Sequence, residues 1–462
     1  MSRRLWLALA FALVLCPAVA WAHAHLKRSE PVGGSRLTTS PQMIRLWFSE
    51  RPEYSMTFVS LKDANGKLVP LSPPDIDPDN MLVIAVRILQ LLPYGRYTVA
   101  WRTAGSDGHP SHGTFSFVVL TPRSVTAKGS GLQPEATTDT TAGTATTADS
   151  STKSENEEES GAASSISNSL ARTFSFVGLL VLIGVTTFRA LVLPRAPGIS
   201  VEMRVRMERR AAVLGLAASL LVIFGAFAKL LLESQMMSAM PDMHTMSMTD
   251  MAMHTRWGRG LRLELGMALV ALLSFALATR RIRGAWFIAT ISAIVLAVTP
   301  ALAGHAAASP RFTSLLIATD FLHVLGGATW LGSLLSVMAV GVPMCLTLDG
   351  AERWSSVASL VNSFSPIALA SAGVVAVSGV IASWVHLERL PALWQTAYGQ
   401  VLLLKLLFVA ITLAIGAYNF RRVQPQLVTE IGSARLKRSA AIELSVGFLI
   451  LLVTGFLTGI SP

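Results

Sequence analysis

The run Phe174-Ser175-Phe176-Val177-Gly178-Leu179-Leu180-Val181-Leu182-Ile183-Gly184-Val185 sits inside an apolar stretch, residues 172–193, long enough to cross a bilayer as a helix. Seven more such stretches follow, near 211–233, 261–279, 285–304, 314–340, 364–385, 400–420 and 440–460. Hydrophobic residues make up 52% of the 462 and charged residues only 14%, too apolar a balance for a soluble chain of this length. Residues 169–462 therefore read as an all-α polytopic membrane bundle of about eight helices.

The formal charge of +11 raises nucleic acid as a partner, but the basic residues sit in short loops between the apolar stretches. Arg204, Arg206, Arg209 and Arg210 follow the first stretch, Arg280, Arg281 and Arg283 the third, and Arg421, Arg422, Arg435, Lys437 and Arg438 the seventh. The loop after the fifth is weaker, with Arg353 set against Asp349 and Glu352. The positive-inside rule places these loops in the cytoplasm and both ends of the mature chain outside. The partner is then a lipid bilayer, the cell inner membrane, and not nucleic acid.

Residues 1–22 read as a signal peptide. Arg3 and Arg4 precede the apolar run Leu5 to Val19, and Ala20-Trp21-Ala22 supplies the small-x-small cleavage pattern. Cleavage there makes His23 the first residue, whose free amine and own imidazole can chelate one metal ion, Cu(II) or Ni(II) by donor type. A chance histidine behind an ordinary cleavage site is the competing reading. Cys16 leaves with the signal peptide, so the mature chain keeps Cys345 alone and forms no internal disulfide.

Residues 23–120 carry short β-branched or aromatic runs at 42–50, 56–61, 82–86, 97–101 and 114–119, bounded by turn residues such as Asp63-Ala64-Asn65-Gly66. They predict an all-β Greek-key sandwich of cupredoxin or immunoglobulin-like type. Between the last two runs lies Ser106-Asp107-Gly108-His109-Pro110-Ser111-His112-Gly113, where Asp107 and His109 can point at one ion. Taken alone, the segment reads better as a plain hairpin turn.

These residues together resemble the CopC family of periplasmic copper carriers. The matching features are His23, Ser29-Glu30-Pro31 with Gly33, Leu46-Trp47-Phe48-Ser49-Glu50, Trp101-Arg102-Thr103 leading into Asp107-Gly108-His109-Pro110, and Gly113-Thr114-Phe115-Ser116-Phe117. The resemblance implies a periplasmic Cu(II) site made by the His23 amine and imidazole, Asp107 and His109, with His25 and His112 as spare histidines nearby. It also brings other periplasmic copper carriers into view as partners.

Residues 121–168, dominated by Thr, Ser, Ala and Gly with an acidic patch at Glu155-Asn156-Glu157-Glu158-Glu159, read as a disordered linker. An outer loop, 234–257, contains Met236, Met237, Met240, Met243, Met246, Met248, Met251 and Met253, with His244 and His254 among them. Thioethers are soft ligands for Cu(I), and the interleaved Ser, Thr, Asp and Pro make this stripe a poor apolar face.

Within the spans, His305, Asp320, His323 and His386 gather toward the outer side. Ionisable residues there are functional candidates by default, with an interfacial histidine or an interhelical hydrogen bond as the structural alternatives. The run Asp320-Phe321-Leu322-His323-Val324-Leu325-Gly326-Gly327-Ala328-Thr329-Trp330-Leu331-Gly332 resembles the signature span of CopD membrane proteins, which are linked to copper uptake. Gly304-His305-Ala306, Thr396-Ala397-Tyr398-Gly399, Lys405 and Tyr418-Asn419 match as well. The chain thus resembles a CopC–CopD fusion, which implies His305, Asp320, His323 and His386 as copper contacts and import as the direction. No ATP-binding loop is visible, and the chain reads as a transporter and not an enzyme. Two other readings stay open: a b-type haem protein passing electrons to Cu(II), and a protein that sequesters or senses copper without moving it.

Overall fold

The strand β1 (Leu26–Glu30) pairs antiparallel with β3 (Met43–Phe48), and β2 (Arg36–Leu37) between them crosses to the other sheet. The later strands are β4 (Phe58–Lys62), β5 (Leu68–Val69), β6 (Asp75–Asp77), β7 (Asn80–Arg87), β8 (Gly95–Ala104) and β9 (Pro110–Val119). They form two sheets, ordered β1-β3-β7-β6 and β2-β9-β8-β4-β5. This is the computed structural model of the chain, which describes residues 25–105, 110–120, 151–238, 248–302, 304, 312–387 and 390–459.

Period-2 alternation builds the core of the sandwich. Ile44, Leu46 and Phe48 point inward from β3, Ile84 and Val86 from β7, and Tyr97, Val99 and Trp101 from β8. Phe48 meets Trp101 edge-on across the two sheets, ring centroids 5.2 Å apart. The Tyr97 hydroxyl donates to the Pro93 carbonyl at 2.8 Å, the tyrosine-corner contact of immunoglobulin-like sandwiches. The predicted β-sandwich is therefore what forms, with β8 and β9 longer than the sequence runs suggested.

Gly113 sits opposite Trp101 in the β8–β9 ladder, and a Cβ there would lie 2.8 Å from the indole ring. Gly113→Val must push that ring off Phe48. We expect the sandwich to lose about 1–3 kcal/mol, read as a lower denaturant midpoint with an unchanged slope.

Among the described residues, eight helices are long and apolar enough to cross a membrane. They are spans 1 to 8: Ile166–Arg195, Val201–Gln235, Trp257–Thr279, Ala285–Leu302, Thr313–Cys345, Gly350–Val385, Ala397–Gln426 and Glu430–Leu457. Most run beyond the predicted apolar stretches because helices continue into polar ends where hydropathy stops. The helix of span 1 begins at Ser151, inside the segment 121–168 that the sequence reads as a linker. The glutamates and alanines of that segment are good helix formers, and continuity with a membrane helix removes the cost of nucleation.

Spans 1 and 5 are the most enclosed. They cross where Gly184 meets Gly332, and a Cβ on Gly184 would come within 2.0 Å of the Gly332 backbone. Only paired glycines allow that approach. Span 5 departs from α geometry in two π turns, Ala328–Gly332 and Val337–Gly341, and span 7 in another, Asn419–Val423. The chain divides into a β unit, chiefly His23–Ile166, and a helical unit, chiefly Ser167–Ser238 and Met246–Pro462.

Candidate metal centres

One end of the β unit collects the segments that lead to the predicted Cu(II) ligands. The His25 backbone N–H donates to Ser49 Oγ at 3.1 Å, and the Ser49 N–H donates to the His25 carbonyl at 2.9 Å. A few residues on, the Glu53 N–H donates to the Ala104 carbonyl at 2.8 Å, next to the Ala104–Pro110 pair that closes the β8–β9 hairpin. Residues 49–53 thus join the start of β1 to the tip of that hairpin. His23, Asp107 and His109 lie outside the described residues.

Alternation fails at this end of β8, because Trp101, Arg102, Thr103 and Ala104 are all buried. Thr103 Oγ1 and Thr57 Oγ1 share a hydrogen bond of 2.7 Å, and the Arg102 guanidinium lies 4.7 Å over the Phe58 ring. Burial pushes that guanidinium below its usual range, yet it stays a cation, so a fixed positive charge lies under the hairpin tip. His112 belongs to β9, opposite Arg102, and not to the loop as the sequence suggested; its side chain is exposed.

His25 raises a separate question, since a terminal amine with a histidine third in line can bind Cu(II) through deprotonated backbone amides. That geometry uses the His25 amide nitrogen, which is committed to Ser49. Folding of β1 therefore opposes it.

In the helical unit, Asp320 and His323 lie one turn apart in the N-terminal half of span 5. His323 Nδ1 is 3.1 Å from Ser378 Oγ on span 6. The Ser378 hydroxyl already donates to the Val374 carbonyl at 2.6 Å, so it accepts from His323 and the ring proton sits on Nδ1. The Val375 backbone, also hydrogen-bonded to the ring, calls for the same N–H. Nε2 is left with its lone pair, the form in which histidine binds a metal. Gly379 makes room for the ring, since a Cβ there would approach Cε1 to 3.3 Å. Lys405 and Tyr398 of span 7 lie within electrostatic reach of Asp320, and Lys405 also of His323.

His305 lies outside the described residues, and His386 ends the helix Gly350–His386, its side chain beyond description. Among the described residues no group of three or more His, Cys, Asp and Glu is placed to hold a metal ion. Of the four predicted membrane contacts, the described structure joins Asp320 and His323.

Three family models match the chain: "CopC domain" over residues 26–120, "Copper resistance protein D-like, N-terminal domain" over 163–310, and "Copper resistance protein D" over 358–457. The chain is 34% identical to "Copper resistance protein C" of Escherichia coli over 109 residues, 22% of this chain and 83% of that protein. The chain is a fusion of the CopC and CopD families. A relative named "Copper transport protein CutJ", from Bacillus subtilis (strain 168), is 24% identical over 99% of this chain and 77% of its own. The crystal structure of CopC from Methylosinus trichosporium OB3b matches 22% of this chain and 96% of its own, with 27% identity and a TM-score of 0.21.

Asp320 and His323 fall between the two matched CopD stretches, while Ser378, Gly379, Tyr398 and Lys405 fall within the second. Sequence reading gave Ser378 and Gly379 no role, and no local signal marks them, for their partner is 55 positions away.

The Met-rich segment of the CopD region is only partly a loop. Span 2's helix runs on to Ser238 and includes Met236 and Met237, and a short helix, Met248–His254, precedes span 3. Met240, Met243, Met246 and His244 lie outside the described residues. Met251 is buried at 1% exposure, whereas Met248, Met253 and His254 are exposed. Met253 Sδ is 3.8 Å from Arg262 Nη1, a cation beside a thioether proposed for Cu(I). Of the methionines here whose side chains are described, Met248 is the exposed one clear of that contact.

Proposed function

We propose that this CopC–CopD fusion takes Cu(II) from the periplasm and passes copper inward across the inner membrane. The His23 amine and imidazole, Asp107 and His109 hold Cu(II) in a nitrogen- and oxygen-rich site suited to that ion. Asp320 and the free Nε2 of His323 receive copper in the bundle, with His305 and His386 as further contacts at its outer rim. The exposed end of the Met-rich segment holds Cu(I) between them, after a one-electron reductant from outside this chain has formed it from Cu(II). The role is carriage of copper, without catalysis.

The observation that carries this reading is the fixed tautomer of His323. The ring is anchored through Nδ1 on Ser378, one helical turn from the Asp320 carboxylate, which leaves Nε2 as the nitrogen a metal would meet. Support also comes from the covalent joining of a CopC domain to that bundle, which raises the effective concentration of the cargo at its entrance.

Cellular copper tests the proposal. Cells expressing the chain in copper-limited medium should accumulate several-fold more copper than cells without it. Equal contents would sink import, and a lower content would reverse its direction. Higher copper confined to the periplasm would point to sequestration, and a Soret band in the purified protein to the haem reading.

A further inference from the structure

Span 8 carries a carboxylate in its interior, Glu443, only 4% exposed and two turns short of where an outer-half copper site would need it. It stands about 7 Å along the helix from Arg438, which places it toward the cytoplasmic side. Trp330, which meets it from span 5, stands about 10 Å along that span from His323, again on the inner side. Glu443 therefore belongs to a second polar layer, below Asp320 and His323.

The surroundings of this carboxyl are built. Asn419 Nδ2 of span 7 donates to Glu443 Oε2 at 3.1 Å, and the Trp330 side chain provides a further hydrogen bond. Oε1 faces Gly416, where even a Cβ would stand 3.9 Å off. Both polar partners are delivered by π turns, Trp330 from Ala328–Gly332 and Asn419 from Asn419–Val423. Such turns shift helical register and recur at functional sites. The groups facing Glu443 are thus an amide, an indole and a glycine, none of which titrates.

Asn419 Oδ1 is buried with no hydrogen-bond partner among the described residues. A purely structural Asn–Glu clamp would satisfy that oxygen, since an orphaned buried acceptor costs about 1–3 kcal/mol. An amide facing a carboxyl that changes protonation state needs both ends. Its NH2 donates to the carboxylate, and after rotation its oxygen accepts from the carboxylic acid. Oxygen donors alone make a poor station for Cu(I), which favours sulfur and imidazole.

We propose that Glu443 is a proton-exchanging carboxyl loaded from the cytoplasmic side, so that one proton leaves the cytoplasm as one Cu(I) ion enters it. Charge balances in that exchange: the O–H bond of the acid breaks, the proton goes to water on the outer side, and the incoming cation replaces its charge in the bundle. The coupling rests on the transport reading, whereas proton exchange at Glu443 does not.

Two measurements on the full-length chain test it. In proteoliposomes with the cytoplasmic face inward and a pH-sensitive dye in the lumen, with copper supplied outside together with ascorbate, the lumen should lose acidity as copper enters. Glu443→Gln should reduce the pH change per copper ion to a tenth or less, and Glu443→Asp should restore part of it. An equal pH change in Glu443→Gln, or copper entry into wild-type vesicles with none, would overturn the coupling. Infrared difference spectra of the purified chain between acidic and alkaline buffers supply the second test. A carboxylic C=O band present in wild type and missing in Glu443→Gln supports the assignment, and an identical band in both overturns it. Should wild-type vesicles move no copper at all, the transport reading fails and the infrared result alone decides Glu443.

Discussion

Leaving two extra residues ahead of His23 should weaken Cu(II) binding by the CopC domain by more than 100-fold. That is beyond the roughly 10–100-fold that losing a supporting outer-sphere contact costs. An extension turns the terminal amine into a peptide nitrogen and dissolves the chelate ring it closes with its own imidazole. His25→Ala should stay within about threefold of wild type, on the order of 0.6 kcal/mol, because the His25 amide is held by Ser49. Competitive Cu(II) titration of residues 23–120, which close their own core, checks both. Affinity should also fall as pH drops from about 8 to 5, because the amine (about 7.7–8.0) and the imidazoles (about 6.5) must give up protons to bind. Unchanged affinity in the extended form would remove the terminal amine from the site.

Replacing Asp320 by Asn together with His323 by Ala should bring copper accumulation down to the level of cells lacking the chain. Cu(II) titration of the CopC domain and the amount of protein in the membrane should remain as in wild type. Ser378→Ala separates ligand from support: it removes the Nδ1 anchor and frees the ring, so transport should fall about 10–100-fold without vanishing. Full accumulation in the double variant would exclude the pair from the copper path. Loss in Ser378→Ala equal to that in His323→Ala would mean that Ser378 does more than orient the ring.

The sandwich was readable because alternation at Ile44, Leu46 and Phe48, and again at Tyr97, Val99 and Trp101, is a local pattern. The spans were readable because about 20 apolar residues have few other uses. Span ends, the helix reaching back to Ser151 and the helical Met248–His254 were not, since each depends on a neighbouring helix and not on its own hydropathy. In the candidate sites, Asp320 and His323 stood out as charges in an apolar run. Glu443 carried the same signal inside its own stretch and went unused, because its meaning comes from Asn419 and Trp330 on other spans.

Eight apolar helices and the residue types proposed to hold copper were determined by order along the chain, because hydropathy acts through nearest neighbours and the bilayer. Tertiary structure alone decided that His323 presents Nε2, that His25 is tied down by Ser49, and that spans 1 and 5 touch through Gly184 and Gly332. Each of those facts is a contact of a few ångströms between residues far apart in sequence, and only packing sets such distances.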